Sequence, residues 1–176
     1  MNPITADDIR TFLKKLGERY TRPGTLYLLG GGAICLLGNP RPTVDLDYAA
    51  DFSSSDAQLR EAMLTVAKEM ALDLEDVTLR EFIPLPNGIE QRHRHMGTFG
   101  QLEVYVFDPY SIALSKVARG FETDLEDVMF LIHRRLIAFK ELETMVLAAL
   151  PRAQEFDIDP REFRQNWETL RKLARR

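Results

Sequence analysis

Apolar positions recur along the chain with two different periods. Ile9, Phe12, Leu13 and Leu16 have helical spacing, and Thr5 or Asp7 stands where a cap belongs, so residues 5–19 are expected to form a helix. Arg22-Pro23-Gly24 breaks it, and the short apolar run Leu26–Leu29 reads as a buried strand. Gly30 to Gly32 turn the chain, and Ala33–Leu37 forms one or two helical turns ended by Gly38-Asn39-Pro40. Thr43–Ala49 is a second strand. Residues 56–71 form a helix with Leu59, Met63, Val66, Ala67 and Met70 inward. Val77–Ile83 alternates as a strand. Pro84, Pro86, Asn87 and Gly88 mark a turn, and Ile89–His95 would return as its hairpin partner. Gly97 and Gly100 bracket another turn before the strand Leu102–Phe107. From Pro109 onward the pattern is helical, over 109–119, 123–133, 136–149 and 160–174, the last opening on Asp159-Pro160.

Strands fill the first two thirds and helices the last third. The fold class is therefore α/β (α+β): a mixed sheet flanked by helices, over 1–120, with a helical extension over 121–176 packed on it. With 176 residues, 45% of them hydrophobic, the chain can bury a real core. A net charge of −4 argues against wholesale coating of nucleic acid. The single cysteine, Cys35, excludes an intrachain disulfide and reads as core. The opening residues look like the first helix rather than a secretory signal, and no apolar run is long enough to span a membrane. A cytoplasmic location is the expectation.

The segment Leu26 to Ala49, LYLLGGGAICLLGNPRPTVDLDYA, concentrates the candidate chemistry. Residues two apart in a strand share a face, so Asp45 and Asp47 point together while Val44, Leu46 and Tyr48 point into the core. Two carboxylates about 7 Å apart repel each other unless a cation lies between them. Hard oxygen donors suit Mg²⁺ or Mn²⁺, with substrate phosphates completing the shell. Gly30 and Gly31 allow a phosphate to approach bare amides at a helix start. Each feature also has a plainer reading, a tight turn and a solvated strand end. No Gly-Lys-Ser/Thr follows the glycines and no third dinucleotide-type glycine is in place.

Glu103, flanked by apolar residues in a strand, is the candidate third carboxylate; the alternative is an edge-strand glutamate facing water. Asp108, before Pro109, reads as a helix cap. Lys116 and Arg119 lie three apart on one helix, Asp124 and Asp127 three apart on the next. These cations could reach a triphosphate, or the four could form a solvated charge network. His93 and His95 share a strand face but lack a third ligand; alternating with Arg92 and Arg94, they suggest a polar strand facing RNA or phosphate. Phe163 and Trp167 read as a packing stripe; the arginine clusters at 134–135 and 171–176 could touch nucleic acid, although exposed helix ends favour basic residues anyway.

The order apolar strand, Gly30-Gly31-x-Ala33, a gap, then Arg41-x-Thr43-x-Asp45-Leu46-Asp47 resembles the nucleotidyltransferase (polymerase-beta-like) superfamily. It is most similar to the AbiEii-type toxin nucleotidyltransferases and related small bacterial families. Gly31 stands where many members have serine, so backbone N–H groups would replace that hydroxyl. The resemblance implies an enzyme that moves a nucleoside monophosphate from an NTP to a hydroxyl on a tRNA, a protein or a small molecule. It implies Asp45, Asp47 and Glu103 as metal ligands, and Gly30, Gly31, Arg41, Thr43, Lys116 and Arg119 as nucleotide-binding residues, with Asp124 and Asp127 in support. A toxin role with a cognate antitoxin follows from the resemblance alone. The alternative is a non-catalytic nucleotide-binding or antitoxin-like partner that retains the fold.

Overall fold

The computed structural model describes residues 3–50 and 57–175. Residue 56, at the start of the helix expected over 56–71, and Arg176 lie outside them. The chain divides into two compact units, Met1–Val77 with His93–Phe107, and Thr78–Arg92 with Asp108–Arg176.

The first unit holds α1 (Ala6–Arg19), β1 (Gly24–Leu28), α2 (Gly30–Leu36), β2 (Leu46–Ala50), α3 (Ala57–Met70), β3 (Leu74–Asp76), β4 (Arg94–Phe99) and β5 (Leu102–Val106). Thr5 caps α1 in a reciprocal box with Asp8, which satisfies two amides that the helix cannot. The strands form one mixed sheet in the order β3-β2-β1-β5-β4. β1 runs antiparallel to β2 and parallel to β5, β2 parallel to β3, and β4 antiparallel to β5. This is the mixed α/β class expected from the pattern.

Period-two alternation sorts the two sheet faces. Leu26, Leu28, Leu46, Tyr48, Leu102, Val104 and Val106 are all buried. Ile9 of α1 and Leu46 of β2 both close on Gly32, which ties the helical layer to this face. The opposite face carries Thr25, Tyr27, Asp47, Glu103 and Tyr105, all half-buried. Val44 departs from the expectation of an inward residue: β2 begins at Leu46, and Val44, in the bend before it, is 53% exposed.

The second unit holds α4 (Pro109–Arg119), α5 (Glu122–His133), α6 (Phe139–Ala149) and α7 (Pro160–Leu173). Phe163, Trp167 and Leu170 are buried, and the indole stacks on Phe139 at 5.2 Å, so the stripe on α7 is packing. The unit also takes in residues 78–92. Polar ties explain the grouping. Tyr110 of α4 accepts from the Ala138 amide and donates to Glu141 of α6, and Asn166 of α7 donates to the Ala118 carbonyl.

Val77–Ile83 is not a strand. Leu79 and Ile83, four apart, are buried while Phe82 is exposed, and residues Leu79–Glu81 form a 3-10 turn. The hairpin is instead β4–β5, turned at Gly100, with Gly97 at a bulge inside β4 and not in a turn. Among the described residues, no helix is long and apolar enough to cross a membrane.

Candidate active site

Asp45 precedes β2, Asp47 lies within it, and Glu75 is the register partner of Asp47 on β3. One carboxylate oxygen from each lies within 4.8 Å of the other two. Asp45 and Asp47 are half-buried and Glu75 is exposed. At that spacing each pair of ionised groups repels by at least about 0.9 kcal/mol in bulk water, and by about 3.5 kcal/mol at an effective dielectric of 20. Three oxygen donors converging from a bend and two strands fit a hard divalent cation.

The glycines of α2 abut this cluster. A Cβ built on Gly30, whose φ is +56°, would fall 1.6 Å from Asp47 Oδ2. A Cβ on Gly31 would fall 2.4 Å from Thr43 Oγ1, and one on Gly32 2.5 Å from Leu46 Cδ1. No real Cβ tolerates such distances, so each glycine leaves room for a β2-side residue. The Gly-Gly-Gly run is thus the first turn of α2 laid against the approach to β2, so the helix begins at Gly30 and not at the expected Ala33.

Thr43 is buried, and its backbone is pinned to Ile4 by a reciprocal pair of hydrogen bonds of 2.7 and 3.0 Å. Its hydroxyl donates to Asp45 Oδ1 at 3.4 Å. Arg41 sits half-buried in the connection from α2, its N–H bonded to Asn39 Oδ1 and its carbonyl accepting from the Cys35 thiol. Cys35 is 3% exposed, as expected for core.

Glu103 is not brought to the pair. It lies opposite Thr25 of β1, whereas the Leu29 amide bonds to the Asp47 carbonyl. Four residues of strand, about 13 Å, and the width of β1 separate the two positions. Glu103 accepts from Thr98 Oγ1 at 2.8 Å and meets His95 Nε2 at 2.6 Å. The Thr98 hydroxyl first, then His95, hold its carboxyl below the ordinary value. The third acid at the cluster is Glu75. Its only trace in the sequence is the acidic Leu74-Glu75-Asp76 run, since a three-residue strand is too short to show a period.

Lys116, Arg119, Asp124 and Asp127 come together within the second unit. Lys116 is 4% exposed and bridges Asp124 at 2.9 Å and Asp127 at 2.8 Å, and Arg119 adds two bonds to Asp124 from a more exposed position. Burial pushes the Asp124 carboxyl up, but hydrogen bonds from Arg119 and Lys116 outweigh it and hold the group below its ordinary value. Withdrawing Lys116 toward a phosphate would break two buried ion pairs. Arg92 is likewise committed, gripping Asp108 in a fork of 2.9 and 2.7 Å. Asp108 caps α4 as expected, and that grip leaves no phosphate-facing role for Arg92. His93 packs between Tyr27 and Phe107, and His95 against Tyr105, so both rings belong to the aromatic side of the sheet.

A family model described as "Nucleotidyltransferase of unknown function (DUF6036)" matches residues 7–175. The chain belongs to this family. That description carries the nucleotidyltransferase name with the function left unknown. A crystal structure of an antigenic nucleotidyltransferase-like protein from Paracoccidioides brasiliensis is similar over 93% of this chain and 95% of that one, at 16% identity and a TM-score of 0.47. Among curated proteins there is no match.

Proposed function

We propose that this family member is a divalent-cation-dependent nucleotidyltransferase, moving a nucleoside monophosphate from an NTP to a hydroxyl acceptor. The observation that carries the reading is the convergence of Asp45, Asp47 and Glu75 within 4.8 Å, with Gly30 seated directly against Asp47. The three carboxylates would hold Mg²⁺ or Mn²⁺. When bound, the cation supplies Lewis-acid stabilisation of phosphoryl oxygens and neutralises charge on the leaving pyrophosphate. Asp45 and Asp47 are half-buried, and Glu75, exposed, would be the ligand open to water. Amides at the start of α2 would hydrogen-bond phosphate oxygens, the role given to Gly30 and Gly31.

In the transfer, the acceptor oxygen bonds to the α-phosphorus, the bond from that phosphorus to the β-bridging oxygen breaks, and pyrophosphate leaves as the acceptor loses its proton. Positioning and charge neutralisation supply most of the rate. Glu75 takes the place that the resemblance gave to Glu103, and Lys116 acts as a clamp between α4 and α5 instead of a phosphate ligand. A cytoplasmic setting fits the single buried thiol. RNA, protein or small-molecule hydroxyls are the acceptor classes, and pairing with an antitoxin rests on the AbiEii-type resemblance.

The test is incubation of the protein and Mg²⁺ with each α-labelled NTP and, in turn, tRNA, total RNA and lysate protein. Label should move to one acceptor class, and Asp47→Asn should abolish the transfer. NTP binding that never leads to transfer, and that survives Asp45→Ala/Asp47→Ala, would overturn the reading in favour of a non-catalytic partner protein.

A further inference from the structure

Thr43 has no need to be a threonine for the fold of β2, which starts three residues later. Its hydroxyl nevertheless has a defined place. The backbone bridge to Ile4 fixes the Cα, and burial to 8% exposure restricts the side chain. The oxygen lies 2.4 Å from where a Cβ on Gly31 would stand, and the Thr43 Cβ lies 3.0 Å from that point. From this slot Oγ1 donates to Asp45 Oδ1.

We infer that Thr43 is a positioning residue: its hydroxyl, housed in the space left by Gly31, orients the Asp45 carboxylate toward Asp47 and Glu75. The inference rests on the acid-cluster reading above and departs from a nucleotide-binding role for Thr43. Asp45 sits in a bend outside the sheet ladder, so it lacks the backbone restraint that holds Asp47 and Glu75 in register. The hydroxyl supplies part of that restraint. Partners that orient a metal's ligands typically change its affinity 10- to 100-fold when removed, and a bond as long as 3.4 Å belongs at the lower end.

Thr43→Val keeps the shape and deletes the donor; Thr43→Ser keeps the donor. Mn²⁺ binding to the purified full chain, followed by electron paramagnetic resonance, should weaken about tenfold in Thr43→Val and return to within about twofold of wild type in Thr43→Ser. Crystal structures of both variants should show Asp45 turned away in the first and restored in the second. Unchanged Mn²⁺ affinity with Asp45 in place in Thr43→Val overturns the inference, as does equal weakening in both variants. If wild type itself binds no Mn²⁺, the metal reading fails, and the position of Asp45 in the two variants alone decides the role of Thr43.

Discussion

Replacing Lys116 by methionine separates two roles for one cation. Methionine keeps the unbranched stem, so packing in α4 is conserved and the ammonium is what disappears. The ammonium bridges Asp124 and Asp127, whose side chains are 4% and 0% exposed. Removing one partner from a buried ion pair costs about 3–5 kcal/mol. Asp124 retains its two bonds to Arg119, so the lower end applies, about 3 kcal/mol. With a urea slope of about 2 kcal/mol/M, the unfolding midpoint followed by circular dichroism at 222 nm should fall by about 1.5 M. Arg119→Gln, at a side chain 57% exposed, should cost under about 1 kcal/mol. NTP affinity of folded Lys116→Met protein, measured calorimetrically at low temperature, should match wild type. A variant with an unmoved midpoint and NTP affinity reduced tenfold or more would refute the clamp and restore a phosphate-binding lysine.

The same cluster sets an acid limit. Asp124 has a folded value held below the ordinary 3.8, so its contribution is complete above 3.8 and is lost as the pH falls from there through the folded value. Asp124→Asn should therefore flatten the decline of the melting temperature below pH 4; an unchanged acid profile would count against it. Gly30→Ala places a Cβ on Asp47 and requires a left-handed conformation costing about 1–2 kcal/mol. It should lose Mn²⁺ binding as fully as Asp47→Asn, and wild-type binding in this variant would show that Asp47 is not a ligand. Glu75→Gln removes two repulsive pairs and should raise the melting temperature of the metal-free protein, by roughly 2 kcal/mol of stability, while lowering Mn²⁺ affinity and transfer. Glu103→Gln should leave both metal binding and transfer near wild type, and the reverse pattern for these two variants would return the third acid to β5.

How legible each part was depended on how local its causes are. Helices α1, α3 and α4 to α7 are encoded by periods and caps within a dozen residues, and they appear close to where the pattern put them. Strands β1 and β5 were equally readable, one from an apolar run and one from an alternation, whereas β2 begins at Leu46, three residues after the expected start at Thr43. Val77–Ile83 misled because Leu79 and Ile83, both apolar, satisfy a two-residue and a four-residue spacing alike; only their burial selects the turn. β3 was invisible at three residues, and its pairing with β2 is a long-range event.

The site divides in the same way. Asp45 and Asp47 are two apart in sequence and so stay close, and the residues themselves point to divalent-cation chemistry, but Asp45 lies in the bend before β2, where the strand period does not aim its carboxylate. For the third acid the sequence offered Glu103, with an edge-strand glutamate facing water as the alternative. Register decided it, because Glu75 pairs beside Asp47 whereas Glu103 sits about four residues down β5. The glycines announced a close approach without saying what would approach; the folded chain fills those spaces with Asp47, Thr43 and Leu46. Lys116 looked the same whether free or clamped, since charge is written in the sequence and burial is not. Covalent spacing and local propensity were therefore settled by the sequence. Partner choice across strands and helices was settled only by the packing, which alone brings distant residues within a few ångströms.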